Sequence, residues 1–166
     1  MKKISIICSF VLFTTCLFAQ SQISKGQSQF NAGFGLSSWG LPLYIGLDYG
    51  MMEDITVGGE LSYRSYSDHF FGENYKHTII GISGNGNYHF NSLLNIPDNI
   101  DFYAGLNLGF YIWSSSSSYT GDNASRLGLG LQVGGRYYFN DKLGVNLELG
   151  GGNAFATGKL GLSFRL

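Results

Sequence analysis

Charge is scarce in this sequence. Lysine, arginine, aspartate and glutamate make up 13% of its 166 residues, whereas about 25% is usual in soluble domains. Proline is almost missing, with two residues, while 25 glycines are present and 16% of the residues are aromatic. A water-soluble domain of this length needs charged side chains to cover its outside. The shortage therefore argues against an ordinary soluble protein.

The N-terminus has the layout of a secretory signal peptide over residues 1–19. Lys2 and Lys3 form a positively charged start, a mostly apolar stretch follows, and Ala19 is a small residue suited to cleavage. The apolar stretch is short for a membrane-spanning helix, which needs about 20 residues. An uncleaved anchor helix is the alternative. We expect cleavage to leave a single mature domain over residues 20–166.

Cleavage would remove the only two cysteines, Cys8 and Cys16. A mature chain without thiols excludes a disulfide framework, a cysteine-ligated metal and a cysteine nucleophile. Removing Lys2 and Lys3 from the ten basic residues leaves eight, against eleven acidic ones, for a net charge of −3. No basic patch remains, so we expect no nucleic-acid partner. No nucleotide-binding or calcium loop is present, and we expect no cofactor.

Apolar and other residues alternate along the mature chain with the period of two that is typical of β-strands. Turn residues separate eight segments of this kind, at residues 28–36, 43–49, 55–66, 77–90, 101–113, 126–139, 143–150 and 154–166. An even number of strands brings the last one back beside the first, so the sheet can close. The sequence predicts an all-β fold, an eight-stranded antiparallel up-and-down β-barrel.

The connections between these segments alternate in character. Residues 37–42, 67–76 and 114–125 form polar loops, whereas residues 50–54 and 140–142 form short turns. Transmembrane barrels have short turns on one side of the membrane and longer loops on the other. The alternation therefore favours a barrel that spans a membrane.

The apolar register of the strands contains no aspartate, glutamate, lysine or arginine. One lysine or arginine facing mid-bilayer lipid costs about 2–4 kcal/mol, so this face is suited to lipid. The opposite register is mostly glycine, asparagine, serine and glutamine, which fits the narrow interior of an eight-stranded barrel. We predict a transmembrane barrel with its apolar face outside. A soluble periplasmic barrel that binds a ligand among inward apolar residues is the alternative.

A few charged residues do occur in the polar register, and enclosed charges must pair because a buried unpaired charge costs several kcal/mol. Glu148 and Lys159 lie on the last hairpin, near enough to interact. We therefore predict a charge network in the lumen, formed by Asp48, Glu60, Arg64, Arg126, Arg136, Glu148, Lys159 and Arg165.

Three glycine-spaced strands, at residues 102–109, 127–139 and 159–166, resemble those of small OmpA/OmpX-like outer-membrane barrel proteins of Gram-negative bacteria. The resemblance implies location in the cell outer membrane, contact with its lipid, and passage through the barrel-insertion machinery. Members of this class often end in an aromatic residue that the machinery reads. Here the last residue is Leu166 and the nearest aromatic residue is Phe164.

Some small outer-membrane barrels are enzymes that modify lipid A, and such chemistry needs a serine, a histidine and an acid. His69 and His77 could approach each other, with Ser67 and Glu73 nearby. No His-x-Ser pair of the deacylase kind is present, and the spacing fits no metal motif. We expect neither an active site nor a metal site.

The sequence favours a structural or surface-interaction role without a large pore, since bulky residues would fill the lumen. The loop residues with most to offer an extracellular partner are Phe70, Phe71, Tyr75 and Tyr119. A lipid-modifying enzyme and a narrow channel remain as alternative functions.

Overall fold

The computed structural model is a closed β-barrel of eight strands. It describes residues 23–37, 40–70, 73–115, 126–152 and 158–166, without the side chains of residues 68–70, 73–76, 115 and 126. The predicted signal peptide lies outside the described residues. No helix within the described part of the chain is long and apolar enough to cross a membrane.

Each strand pairs antiparallel with the next, and the last pairs with the first. The elements are β1 (Ser28–Leu36), β2 (Leu43–Met52), β3 (Ile55–Phe70), β4 (Glu73–His89), α1 (Asn91–Leu94), β5 (Ile100–Ser115), β6 (Arg126–Tyr138), β7 (Leu143–Gly152) and β8 (Gly158–Arg165). Among the described residues every strand has a partner strand on both sides, so closure leaves no edge strand. The predicted eight-stranded up-and-down barrel is confirmed.

The two faces of the wall are inverted relative to a soluble protein. Leu106, Leu129 and Leu147 are 57%, 62% and 56% exposed on the outside. Asp101 and Arg136 are buried inside, with exposures of 0% and 4%. An exterior this apolar is suited to lipid rather than to water. The alternative of a soluble barrel with an apolar interior is therefore wrong.

The barrel has two distinguishable ends. The turn end carries the short connections at residues 53–54 and 139–142, and the C-terminal Leu166, whose amide donates to the Ser28 carbonyl at 2.9 Å. The loop end is the opposite one, where β3 is joined to β4. In transmembrane barrels the end with the short turns is the one on the periplasmic side.

The wall is much taller at β3, β4 and β5 than elsewhere. These strands have 16, 17 and 16 residues, whereas β1 and β8 have nine and eight. The prediction of a loop over residues 67–76 was wrong in this respect, because Ser67 pairs with Lys76 and Phe70 with Glu73. Beyond the apolar band both faces of a hairpin meet water, so neither face needs apolar residues. The backbone pairing can therefore continue after the alternating apolar pattern has ended.

A short helix is the other element that the sequence pattern did not predict. α1 lies between β4 and β5 at the turn end, and Asn95 closes it in the left-handed conformation with φ of 50°. Leu93 and Leu94 on this helix are exposed. One helical turn is too short to produce a recognisable helical period, which explains the omission.

The described N-terminal segment folds across the mouth of the turn end. The Gly26 amide donates to the Gly50 carbonyl at 2.8 Å, and the Gly50 amide donates to the Gln27 carbonyl at 2.9 Å. A Cβ atom on Gly50 would overlap the Ser24 carbonyl, and Ile23 is only 1% exposed. The absence of a side chain at Gly50 therefore lets the segment cover this mouth of the barrel.

Candidate functional site

Near the turn end, four buried residues form one chain of charge contacts. Arg136 donates from Nη2 to Asp48 Oδ2 at 2.7 Å and from Nη1 to Asp101 Oδ2 at 3.2 Å. His89 Nδ1 lies 2.7 Å from the other oxygen of Asp101. Because all four residues are buried, each ionic group depends on these partners in place of water.

A second group of charges lies further into the lumen, toward the loop end. Lys159 Nζ lies 2.7 Å from Glu60 Oε2 and 3.0 Å from Glu148 Oε1. The three side chains come from β8, β3 and β7. The ammonium group thus bridges two carboxylates that would otherwise repel each other.

Two tyrosines connect the charged groups. The Tyr103 hydroxyl donates to Glu148 Oε2 at 2.9 Å, and the guanidinium carbon of Arg136 lies 4.4 Å from the centroid of the Tyr103 ring. Lys159 Nζ lies 5.4 Å from the centroid of the Tyr44 ring, and the Tyr44 hydroxyl donates to Asn146 Oδ1 at 2.8 Å. Rings in these positions pack against cations as well as filling space.

Glycines on neighbouring strands make room for these rings. Gly134 lies directly opposite Tyr103 in the ladder, and a Cβ atom there would overlap the Tyr103 ring. A Cβ atom on Gly161 would likewise overlap the Tyr44 hydroxyl. The glycine spacing of the polar register is therefore a steric requirement of a filled lumen.

Amide side chains occupy much of the remaining space. Asn107 Nδ2 donates to Gln132 Oε1, and Gln132 Nε2 donates to Asn87 Oδ1, both at 2.6 Å. Two cavities between the lumen side chains have volumes of about 20 and 10 Å³. A cavity needs roughly 10–15 Å³ to hold one water molecule. These two spaces can each hold about one water and are too small for a substrate.

Neither a family model nor any characterised sequence matches this chain. Several solved structures are similar to it, including the following three. The N-terminal β-barrel domain of Pseudomonas aeruginosa OprF is 17% identical, with a TM-score of 0.59 over 86% of this chain and 98% of that one. P. aeruginosa OprG is 10% identical, with a TM-score of 0.65 over 89% and 99%. Ail of Yersinia pestis is 14% identical, with a TM-score of 0.56 over 86% and 99%.

The fold is that of a small OmpA/OmpX-like outer-membrane barrel. At these identities the likeness establishes architecture, and the neighbours support an outer-membrane location. The sequence resemblance to this class of barrel is thereby confirmed at the level of the fold.

Five of the eight charged residues predicted for the lumen of the barrel are brought together, in the two groups described above. They are Asp48, Arg136, Glu60, Glu148 and Lys159.

Of the other three predicted residues, two have side chains that the structure describes, and both lie outside these groups. Arg64 Nη1 donates to Ser37 Oγ at 2.9 Å. Arg165 lies over the Tyr138 ring, with its guanidinium carbon 3.5 Å from the centroid. The side chain of Arg126 lies outside the described residues.

Two members of the buried network were missed from the sequence, Asp101 and His89. Both occupy inward positions of the two-residue alternation, in line with Tyr103 on β5 and Asn87 on β4. The two-residue alternation therefore already placed both residues on the inward face. Both residues lie at strand ends, where it is hardest to tell an inward strand position from a solvated rim.

The network contains a hydroxyl, an imidazole and a carboxylate in series. Thr56 Oγ1 lies 3.0 Å from His89 Nε2, and His89 Nδ1 lies 2.7 Å from Asp101 Oδ1. This is the order of groups in a nucleophilic triad. Thr56 is 0% exposed, however, and Asn87 Nδ2 lies 3.5 Å from the same hydroxyl. A hydroxyl without access to substrate satisfies hydrogen bonds rather than attacking a carbonyl.

The histidine pair considered for lipid chemistry is described only in part. The His77 ring stacks on Tyr66, with centroids 4.9 Å apart, and Trp113 meets the His77 ring edge-on at 6.4 Å. The side chain of His69 lies outside the described residues. So do the interaction residues predicted for the loops, namely Phe70, Phe71, Tyr75 and Tyr119. Among the described residues, no three His, Cys, Asp or Glu side chains are grouped to hold a metal ion.

Proposed function

We propose that this chain is a non-enzymatic outer-membrane barrel with a structural or surface-interaction role and no large pore. The observation that carries this proposal is the filled lumen, in which buried ion pairs, tyrosines and amides take the space that a channel would need. The Thr56 hydroxyl is buried and therefore out of reach of a substrate, which supports a non-enzymatic role. The filled lumen argues against a narrow channel, and the burial of Thr56 argues against a lipid-modifying site at His89.

Planar-bilayer recordings test this directly. The barrel is expected to show no steady, large conductance, because Tyr44 and Tyr103 are packed and hydrogen-bonded across the lumen. A Tyr44→Ala/Tyr103→Ala variant serves as the opened control and is expected to conduct measurably more. Steady, large openings of the unaltered protein would contradict the proposal.

We infer that the tall β3–β4 hairpin presents the surface that meets an extracellular partner. The seven residues Arg64–Phe70 extend past the apolar row formed by Tyr63, Ile80 and Ile112. At about 3.3 Å per residue, the hairpin continues for roughly 23 Å along the strand. β3 ends at Phe70, and Phe71 follows it in the sequence; aromatic side chains are enriched at protein interfaces.

Shortening the hairpin tests this role. Replacing residues 67–76 by Asn-Gly places a tight two-residue turn between Tyr66 and His77, which already pair. Cells displaying the shortened barrel are expected to adhere less to protein-coated or polysaccharide-coated surfaces. The control keeps the length and replaces only Ser67 by threonine, which should leave adhesion unchanged. Equal adhesion of the shortened and unaltered barrels would rule out this surface.

Biogenesis follows from the same proposal. We infer that residues 1–19 are removed on export and that the barrel-insertion machinery recognises the alternating last strand, with Phe164 as its final aromatic residue. N-terminal sequencing of the protein purified from outer membranes is expected to begin at Gln20. A chain that still begins at Met1 would show an uncleaved anchor instead.

A further inference from the structure

The outer wall of the barrel is interrupted by an apolar groove on β5, β6 and β7. The groove has a volume of about 590 Å³ and is open to the outside. Sites that bind small molecules usually have volumes of roughly 300–1,000 Å³. The groove thus has the size of a binding site, whereas the two lumen cavities do not.

A single glycine explains the depth of this groove. Gly135 lies in the outward register of β6, opposite Phe102 on β5 and Leu147 on β7. The next outward residues along β6 are Val133 and Tyr137, which also line the groove. Four side chains therefore surround a position that has none. The Phe102 ring leans over this position, with Cε1 3.1 Å from where a Cβ would lie, and the groove stays open beside that ring.

The position of the groove along the barrel determines which part of the membrane it faces. It lies toward the turn end, because Tyr137 and Phe90 border it there. That half of the wall faces the periplasmic leaflet of the outer membrane, which consists of phospholipid. The lining side chains that face outward are apolar or aromatic, while the side chain of Arg136 points inward to Asp48 and Asp101. Such a groove is suited to hydrocarbon.

Exposed charged side chains follow directly beyond the aromatic border of the groove. The β6–β7 turn follows Phe139 and presents Asp141 and Lys142, both exposed. The phosphate and ammonium groups of a zwitterionic phospholipid match this pair of opposite charges. Aromatic side chains such as Tyr137 and Phe139 commonly lie at the level of the headgroups.

We propose that the groove over Gly135 holds one acyl chain of a phospholipid from the periplasmic leaflet, with its headgroup against the Asp141–Lys142 turn. This site is separate from the filled lumen and from the tall hairpin. It requires the barrel to lie in the membrane, but it does not depend on a surface-interaction role.

Photocrosslinking tests the site. The full mature barrel is reconstituted in vesicles of phosphatidylethanolamine and phosphatidylglycerol with a trace of a phospholipid that carries a diazirine on one acyl chain. Peptide mass spectrometry then maps the crosslinks around the wall. We expect labelling at residues 133–137 and 145–149 to exceed that around Leu47 and Leu61 about tenfold, a difference of roughly 1.4 kcal/mol.

Variants that fill the groove should abolish this enrichment. Gly135→Leu places a side chain in the floor of the groove, where its Cβ would lie 3.1 Å from Phe102 Cε1, so the Phe102 ring must shift. Val145→Phe narrows the groove from β7 without that contact. Gly59→Leu is the matched control, since a Cβ on this exposed glycine lies 3.7 Å from its nearest neighbour. The control should keep the enrichment.

Each other outcome would overturn the proposal. Uniform labelling around the wall would show unselective lipid contact. Enrichment of a lipopolysaccharide probe in place of the phospholipid would assign the groove to the other leaflet. Crosslinks between two barrels through Leu147 would make a second copy the occupant. Enrichment that persists in both filled variants would place the acyl chain elsewhere. Failure of the conductance or adhesion tests would leave these results unaffected.

Discussion

Replacing Arg136 by methionine is expected to lower the free energy of unfolding by about 3–5 kcal/mol, the usual cost of breaking a buried ion pair by removing one partner. Methionine roughly keeps the volume but leaves Asp48 and Asp101 facing each other without the cation between them. Both carboxylates are almost fully buried, so water cannot replace the guanidinium. Urea-induced unfolding in phospholipid vesicles measures the change.

Two variants separate the loss of charge pairing from the loss of a long side chain. Adding Asp48→Asn and Asp101→Asn to Arg136→Met removes the guanidinium and both carboxylates. This variant should recover most of the lost stability, because replacing a buried ion pair by uncharged side chains is often nearly neutral. Lys142→Met, on the exposed β6–β7 turn, should stay within about 0.5 kcal/mol of the unaltered protein. A loss below about 1 kcal/mol for Arg136→Met, as expected of a solvated pair, would show a hydrated lumen.

Replacing Leu129 by arginine is expected to cost about 2–4 kcal/mol in vesicles, the penalty for a cation on the lipid face near the midplane. Leu129 is 62% exposed, and the same change on a water-facing surface usually alters stability by no more than about 0.5 kcal/mol. The large effect arises because the neighbours of this side chain are acyl chains. Equilibrium unfolding in vesicles, compared with the unaltered barrel, measures it.

The matched control is Leu93→Arg on α1. Leu93 is 65% exposed, as much as Leu129, but it lies on the connection at the turn end, outside the strands. An arginine there should cost about 0–1 kcal/mol, as at a membrane interface. Equally small penalties at both positions would mean that the exposed leucines of the strands face water.

The sequence alone predicted the strands well wherever one face is apolar. β1 has the predicted bounds, residues 28–36, and β6 ends within one residue of its predicted limit. A strand in a membrane wall alternates with a period of two over its whole length, so the pattern is unambiguous. The signal ends with the apolar band, which is why the upper parts of β3 and β4 were predicted to be a loop.

The contacts inside the lumen could be predicted from the sequence only where the two partners are close along the chain. Glu148 and Lys159 face each other directly in the β7–β8 ladder, so a hairpin alone brings them together. Asp48 and Arg136 lie 88 residues apart and on opposite parts of the wall. Their contact depends on the stagger of all eight strands, which alternation does not reveal. The groove over Gly135 depends in the same way on neighbours from three strands.

The most direct test of the account asks what the outward leucines touch. In lipid nanodiscs, nuclear Overhauser contacts between side-chain methyl groups and acyl-chain protons can be recorded without altering the protein. Leu106, Leu129 and Leu147 should show strong contacts to acyl methylene protons, whereas Ile79, which is 3% exposed and faces the lumen, should show none. Contacts of the three leucines with one another, and with water in place of lipid, would contradict the inverted barrel.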